Sequence, residues 1–385
     1  MSRRSVVYLT GGFSIGGTER HLATILPFLS DLGYDINVIS LGPDGPMSEP
    51  IREAGINIFQ VSPQGRFNIP KLRGIYAILK QLSEVRSIVK DISPDILHCF
   101  LGMPSIIGAL TYKKSPKCNL IISKRNQLSR PDSFYKEGVV ELIAMKMAKV
   151  VMAHSSVVRD ELINAGIDAK KLRIVHNGIN KLPYELARIR RQELRIHYGW
   201  AQEVVFVMLA NLIPYKGHSF LFDALERLQS CEFGNAPWRV VLVGTGQSEY
   251  EAFLRERVRQ ANLSAKVSFL GRREDTAEIL AASDVGLLLS DHEGFSNAVL
   301  EYMASGLPTI ATAVGGNIDA VKDGLSGKLI KARDACGLEE AIRYFFINEV
   351  DRISIGSEAK LFLEDRFSLR MCVEGYDQVY SELLQ

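Results

Sequence analysis

Short apolar runs alternate along this chain with stretches whose apolar residues recur every three or four positions. Val6-Val7-Tyr8-Leu9 is the first run. It is too short for a buried helix and is bounded by turn residues, so it reads as a buried strand. A glycine-rich stretch, 11–17, follows. His21, Leu22, Ile25, Leu26 and Leu29 then share one helical face that stops near Gly33. The run 35–41 is the next strand. A strand–loop–helix–strand unit of this length makes the two strands parallel. The pattern repeats with strands at 56–61, 95–100, 119–123, 150–155 and 172–175. Between them lie helices at about 69–90 (Leu72, Ile75, Leu79, Leu82, Val85 and Val89 on one face), 105–112, 138–147 and 156–165.

The second half shows the same rhythm. Strands are predicted at 204–209, 238–243, 267–271, 283–290, 308–312 and 327–330, with helices between them and across 337–364. The stretch 181–199 holds Arg188, Arg190, Arg191 and Arg195 without a strand signal, and reads as a linker plus a basic helix. The terminal segment 368–385 is amphipathic and is expected to pack back on the first domain. The fold class is therefore α/β, with two Rossmann-like doubly wound domains facing a cleft. Their predicted ranges are 1–180 and 201–367, with 181–200 as linker. A cleft between domains is the default ligand site.

Composition narrows this reading only slightly. The apolar share of 46% and charged share of 23% are ordinary for a globular chain. Five scattered cysteines (Cys99, Cys118, Cys231, Cys336, Cys372) form no CxxC pair and read as small buried hydrophobes in a reducing, cytoplasmic setting. The apolar run after Arg3-Arg4 is cut at once by Thr10-Gly11-Gly12, too early for a signal peptide. Charge is more informative. Residues 1–200 carry 28 Lys+Arg against 17 Asp+Glu, whereas the remainder carries 18 against 27, so a net +2 hides a basic first half and an acidic second half. A basic half implies an anionic partner, such as a membrane surface, a lipid phosphate or a nucleic acid. The plainer reading is two domains with different solvated surfaces. No basic motif interleaved with aromatics supports nucleic-acid binding.

The candidate chemistry lies at the ends of predicted strands, where open α/β sheets bind ligands. Glu293 falls in a strand-to-helix loop and Glu301 inside the following helix, whose start near Ser296 and Asn297 offers N–H groups to an anion. Lys216 precedes Gly217 at another helix start. Glycines at 244–246 and 315–316 are expected to leave backbone N–H groups available. A cation with helix N-termini suits a diphosphate, and a carboxylate suits ribose hydroxyls. Lys216 taken alone is more simply a solvated loop lysine. The stretch 11–17 lacks both GK[ST] and the GxGxxG spacing, so it is either a plain tight turn or a place where backbone approaches a phosphate or sugar. There is no DxD or HExxH, and the seven histidines are unclustered, so no metal site is indicated.

Glu293 and Glu301 in EGFxxxxLE, followed by MASGLPTIATAVGG, resemble the E-x7-E signature of the retaining family 4 glycosyltransferases of GT-B fold. GGxxIGGTER at 11–20, PDILH at 94–98, VHNGI at 175–179, YKG at 215–217, LVGTG at 242–246 and FLG at 269–271 are similar to that family as well. The resemblance spans nearly the whole chain. It implies a retaining, metal-independent hexosyltransferase that uses a UDP- or GDP-linked sugar. The implied acceptor is a glycan or lipid-linked molecule, in bacterial cell-surface polysaccharide, lipopolysaccharide or glycolipid synthesis. Such an enzyme would be cytoplasmic, or peripheral on the inner face of the membrane through its basic half.

The resemblance also assigns roles. Glu293, Lys216 and Arg125 would be catalytic. Gly16, Gly17, Asn211, Lys216, Gly244, Arg272, Phe295, Ser296, Asn297 and Glu301 would bind the donor. His98, Lys124 and Asn126 would face the acceptor. The chain departs from the family pattern in three places. Ala210-Asn211 replaces a common Gly-Arg, Lys124-Arg125-Asn126 replaces a common His, and Asp319 replaces a common Glu. The alternatives are a glycogen- or sucrose-type synthase, and a catalytically weak nucleotide-sugar-binding protein of the same fold.

Overall fold

Thirteen strands fall into two separate parallel sheets in the computed structural model, which describes residues 4–14, 16–61, 70–113, 118–127, 135–229 and 237–385. Ile15, Ile69, Cys231 and the side chains of Leu72 and Ile75 lie outside the described residues.

The first sheet contains β1 (Arg4–Thr10), β2 (Tyr34–Ser40), β3 (Asn57–Gln60), β4 (Ile96–Phe100), β5 (Asn119–Lys124), β6 (Val150–Ala153) and β7 (Leu172–Ile174), in the order 3-2-1-4-5-6-7. Its strands are apolar on both faces because helices cover both faces. In β1, Val7 and Leu9 join Leu97 and Cys99 in one core, under the helices Pro70–Ile92, Gly102–Tyr112 and Tyr135–Met147. Val6 and Tyr8 point the other way. They join Ile96, Phe100 and the helix Gly17–Asp31, with Cys372, Val373, Tyr376 and Tyr380 of the helix Leu369–Leu384. The amphipathic terminal segment thus belongs to this unit, which comprises Met1–Gly178 and Leu369–Gln385.

The second unit, Ile179–Ser368, is built on β8 (Val204–Leu209), β9 (Trp238–Val243), β10 (Val267–Gly271), β11 (Val285–Leu288), β12 (Thr309–Thr312) and β13 (Gly327–Ile330). Their order is 10-9-8-11-12-13. The stretch expected as a linker is part of this unit. It forms the helices Leu182–Ile189 and Arg191–His197, with Ala187, Leu194 and Trp200 buried. Arg191 donates to Asp284 Oδ1 at 2.5 Å and to the carbonyls of Ala281 and Ser283. Arg195 donates to Asp284 Oδ2 at 2.9 Å and to the Ala282 carbonyl. Arg188, Arg191 and Arg195 are therefore spent on the carbonyl-rich end of the helix Thr276–Ala282 and on Asp284, while Arg190 pairs with Glu193 and Glu278. Cys99, Cys118 and Cys372 are buried as expected, but Cys336 is exposed. Among the described residues, no helix is long and apolar enough to cross a membrane.

Candidate functional site

In unit 2 the candidate residues gather at the carboxyl ends of β8 to β11, because every strand of that sheet runs the same way. Asn211 and Lys216 follow β8, Gly244 follows β9, Arg272 follows β10, and Glu293 follows β11.

Two loops are zipped together there. Pro214–Lys216 form a 3-10 turn ended by Gly217 at φ +83°. A Cβ at Gly217 would strike the Leu289 carbonyl, so both its conformation and this close approach require glycine. Asp291 N donates to the Tyr215 carbonyl at 2.7 Å, and the His292 ring stacks on Tyr215 at 4.2 Å between centroids. These contacts bring Lys216 Nζ onto Glu293 Oε1 in a direct ion pair, with side-chain exposures of 17% and 10%. Ser290 Oγ donates to the same oxygen at 2.7 Å. Spacing along the chain separates Lys216 from Glu293 by 77 positions and gave no sign of this contact. Ser290, Tyr215 and His292 were also missed; only the neighbouring YKG and EGF motifs point to them.

Glu301 is 6% exposed on the helix Asn297–Ala304. Its neighbour Tyr302 anchors that helix. The Tyr302 hydroxyl accepts from Leu209 N at 2.7 Å and donates to the Leu287 carbonyl at 3.0 Å, tying the helix to β8 and β11. Burial pushes the Tyr302 phenol above its usual range, so it stays neutral. Ser296 caps the helix with extended backbone and no side-chain hydrogen bond. Phe295 and Ser296 are buried, whereas Asn211 and Arg272 are exposed.

The glycines act differently from expectation. Gly244 N donates to the Gly271 carbonyl at 2.8 Å, and Gly316 N to the Gly294 carbonyl at 2.9 Å, so neither N–H is available to a ligand. A Cβ at Gly316 would meet the Gly294 carbonyl and lie 2.9 Å from Phe295 Cα; that glycine lets one loop press against the loop that carries Glu293. His218, next to Gly217, is fully buried with neither ring nitrogen hydrogen-bonded. Burial, then the charge of Lys216, lowers its pKa to about 4, so it is neutral near pH 7.

In unit 1, Gly16 caps the helix Gly17–Asp31 in extended conformation without a side-chain bond, and Gly17 is exposed. Asn126 is exposed at the end of β5. Two expected acceptor residues point inward instead. His98 has no exposed surface; Nδ1 bonds Tyr380 Oη at 2.6 Å and Nε2 bonds Ser123 Oγ at 2.8 Å. Burial lowers its pKa to about 3, which fits a structural histidine rather than one that touches ligand. Lys124 is buried against Glu141 at 2.7 Å. Arg125 is 9% exposed. Among the described residues, no group of three or more His, Cys, Asp or Glu could hold a metal ion.

Two separate parallel sheets in this order are the architecture of the GT-B fold. The chain belongs to the family 4 glycosyltransferases. The family description "Glycosyltransferase Family 4" matches residues 15–181 and "Glycosyl transferases group 1" matches 190–362. The chain is 31% identical to the mannosylfructose-phosphate synthase of Agrobacterium fabrum over 82% of its length and 75% of the relative's. It is 24% identical to the N-acetyl-alpha-D-glucosaminyl L-malate synthase of Bacillus anthracis over 97% of this chain and 95% of that one. It is 25% identical to the UDP-Gal:alpha-D-GlcNAc-diphosphoundecaprenol alpha-1,3-galactosyltransferase of Escherichia coli, over 83% and 82%. The solved structure of Anabaena HepE in complex with UDP superimposes with a TM-score of 0.85 at 22% identity, covering 98% of this chain and 100% of that one.

Proposed function

We propose that this glycosyltransferase moves a hexose from a UDP-sugar, with retention and without a metal ion, to a glycan or lipid-linked acceptor of a bacterial cell-surface polymer or glycolipid. The observation that carries the reading is the Lys216–Glu293 pair beside the start of the helix Asn297–Ala304. In this reading Lys216 moves its charge from Glu293 to the donor diphosphate. The N-terminus of that helix adds its dipole, with the backbone of Phe295, Ser296 and Asn297 close to phosphate and sugar. Glu301, held by the Tyr302 anchor, accepts the ribose hydroxyls. Glu293 lies against the sugar ring, where positive charge develops as the bond to phosphate breaks. Asn211 and Arg272, exposed at their strand ends, complete the donor pocket.

The reaction breaks the bond between the sugar and the diphosphate oxygen and forms a bond from the sugar to an acceptor hydroxyl oxygen. The hydroxyl proton leaves with the diphosphate side or to water. Preorganised positive charge at the leaving diphosphate is the largest expected contribution to rate. Lys216 and the helix start supply it, which supports a reaction independent of metal. The names of the Agrobacterium, Bacillus and Escherichia relatives pair a sugar with a phosphate, a malate and a diphospholipid, which supports an acceptor bearing negative charge.

A lipid-linked acceptor would bring the protein to a membrane. The surplus of 24 Lys+Arg over 18 Asp+Glu in unit 1 supports a contact with an anionic cytoplasmic leaflet, as do Leu79, Leu110, Val139 and Ile143, exposed on the helices covering one face of the first sheet. Flotation with phosphatidylglycerol vesicles tests this, and binding no stronger than to phosphatidylcholine would refute it.

The central experiment is UDP release from a panel of UDP-sugars with lipid-linked and soluble acceptors, in EDTA, with the anomer of the product read by NMR. Glu293→Ala should abolish transfer while UDP binding survives. Full transfer by Glu293→Ala, or an inverted product, refutes the assignment.

A further inference from the structure

Arg125 has a property that the transfer reaction does not explain. Its guanidinium leaves the end of β5 into the interior of unit 1, 9% exposed. Nη2 donates to Asn177 Oδ1 at 2.6 Å, and the Tyr376 hydroxyl lies close enough to interact with the group electrostatically. Both partners are uncharged. Among the described residues no carboxylate forms an ion pair with it, and Glu19 acts on it only through space.

The other titratable groups around it do not supply a counter-charge. His21, His98 and His154 are buried, and their pKa values are lowered by that burial first and then by Arg125 itself, so all three are neutral. Burial pushes Cys372 up to about 12 and Tyr376 higher, so neither is an anion near pH 7. The adjacent Lys124 already has its own partner in Glu141. Arginine does not lose its proton in proteins. Among the described residues the cluster therefore holds one permanent positive charge with no carboxylate in contact, offset only through space by Glu19, in a desolvated place, which costs stability unless an anion completes it. Perturbed and unpaired charges of this kind concentrate at functional sites. The first turn of the helix Gly17–Asp31 faces the same spot, since Glu19 and His21 both act electrostatically with Arg125. That turn brings the positive end of the helix, partly offset by the Glu19 carboxylate, which lies against Gly16.

We propose that Arg125 is the anion-recognition residue of the acceptor, receiving a phosphate or carboxylate oxyanion. Tyr376 of the helix Leu369–Leu384 and Asn177 are positioning residues that aim its fork. A guanidinium matches both anions through paired N–H donors. Tyr376 is itself held by His21 Nε2 at 2.9 Å, which ties the chain's last helix to the glycine-rich start. This proposal rests on the reading above that unit 1 serves the acceptor.

The test uses the full ligand-free chain. Inorganic phosphate and L-malate are titrated at constant ionic strength by calorimetry and thermal shift, with and without saturating UDP, and with sodium chloride as control. The wild type should be stabilised by at least one of the two anions, and UDP should not displace it. Phosphate alone points to a phosphorylated acceptor and malate alone to a carboxylate. Arg125→Met should melt at or above the wild type without anion, because the desolvated charge is gone, and should show no anion response. Tyr376→Phe should keep the fold and bind the anion about tenfold more weakly, as for a lost hydrogen bond next to a charged group.

Several results would overturn the proposal. One is an Arg125→Met variant that melts well below the wild type yet keeps the anion response, which makes Arg125 structural. A second is displacement of the anion by UDP, which assigns the site to the donor diphosphate. A third is a wild type that responds to UDP but to neither anion. Absence of any UDP response in the wild type would instead sink the nucleotide-sugar reading.

Discussion

Replacing Lys216 with Met tests whether the ion pair at the centre of the donor site exists in solution. The substitution keeps the unbranched apolar stem of the side chain and removes its charged end, leaving the Glu293 carboxylate with Ser290 Oγ as its remaining hydrogen-bond donor in the site. Removing one partner of a fully buried pair costs about 3–5 kcal/mol, and an exposed pair is worth about 0–1 kcal/mol. With 17% and 10% of the two side chains exposed, the pair lies nearer the buried limit. Ser290 compensates in part, so a loss of about 2–3 kcal/mol is expected. For a unit of this size, each kcal/mol moves the midpoint by about 2–4 °C, so the transition of unit 2 should fall by roughly 4–12 °C. Glu293→Gln should cost less, since the amide keeps an acceptor for Ser290 and a neutral partner for Lys216. Differential scanning calorimetry of the two single variants and the double variant gives the coupling directly, expected at about 1–3 kcal/mol. Transfer by Lys216→Met should fall by about 10²–10³-fold, the loss typical of one preorganised charge at a leaving oxyanion. Strict additivity of the two substitutions, with a midpoint within 1 °C or so of the wild type, would show that the pair is not formed and that this account of the site is wrong.

Other expectations follow from the same geometry. Glu301→Ala should weaken UDP binding in calorimetry while leaving the fold intact, because Tyr302 anchors the helix to β8 and β11; unchanged affinity would remove Glu301 from the ribose site. Asp284→Ala should destabilise unit 2 by about 3–4 kcal/mol in urea, since it strands two part-buried arginines and the Val205 N–H together. His98 and His218 have folded pKa values lowered to about 3 and about 4. As pH falls below about 6.5 the unfolded chain takes up protons that the folded chain does not, so stability present above that pH declines by about 1.4 kcal/mol per unit for each group. That decline should continue to about pH 4 for His218, and His218→Leu should remove its share from a plot of midpoint against pH; an unchanged slope would refute the assignment. Gly217→Ala should lower both stability and transfer, because its positive φ and the Leu289 carbonyl leave no room for Cβ.

Much of the architecture was legible along the chain. Short continuous apolar runs and helical stripes place nearly every strand within a residue or two, because strands buried on both faces must be continuously apolar. The basic stretch at 181–199 was not legible as a domain element. Its arginines lack the apolar periodicity that marks a helix, and their partners, Asp284 and the carbonyls of 281–283, lie about ninety positions away. His98 misled for the opposite reason. A histidine in a PDILH motif looks chemical, and its burial between the Tyr380 hydroxyl, 282 positions on, and Ser123 Oγ shows it to be a core residue.

By itself the sequence determined the fold class, the parallel direction of strands joined through a helix, the motif positions and the identity of the acids and cations at strand ends. These follow from periodicity and local turn chemistry, which act over a few residues. Only the tertiary structure decided which charges meet. It paired Lys216 with Glu293, gave Lys124 a carboxylate and, among the described residues, gave Arg125 only uncharged contacts, and brought Tyr376 from the last helix to His21 near the first strand. Such pairings depend on the close packing of elements far apart in the chain, and no local pattern of residues records them.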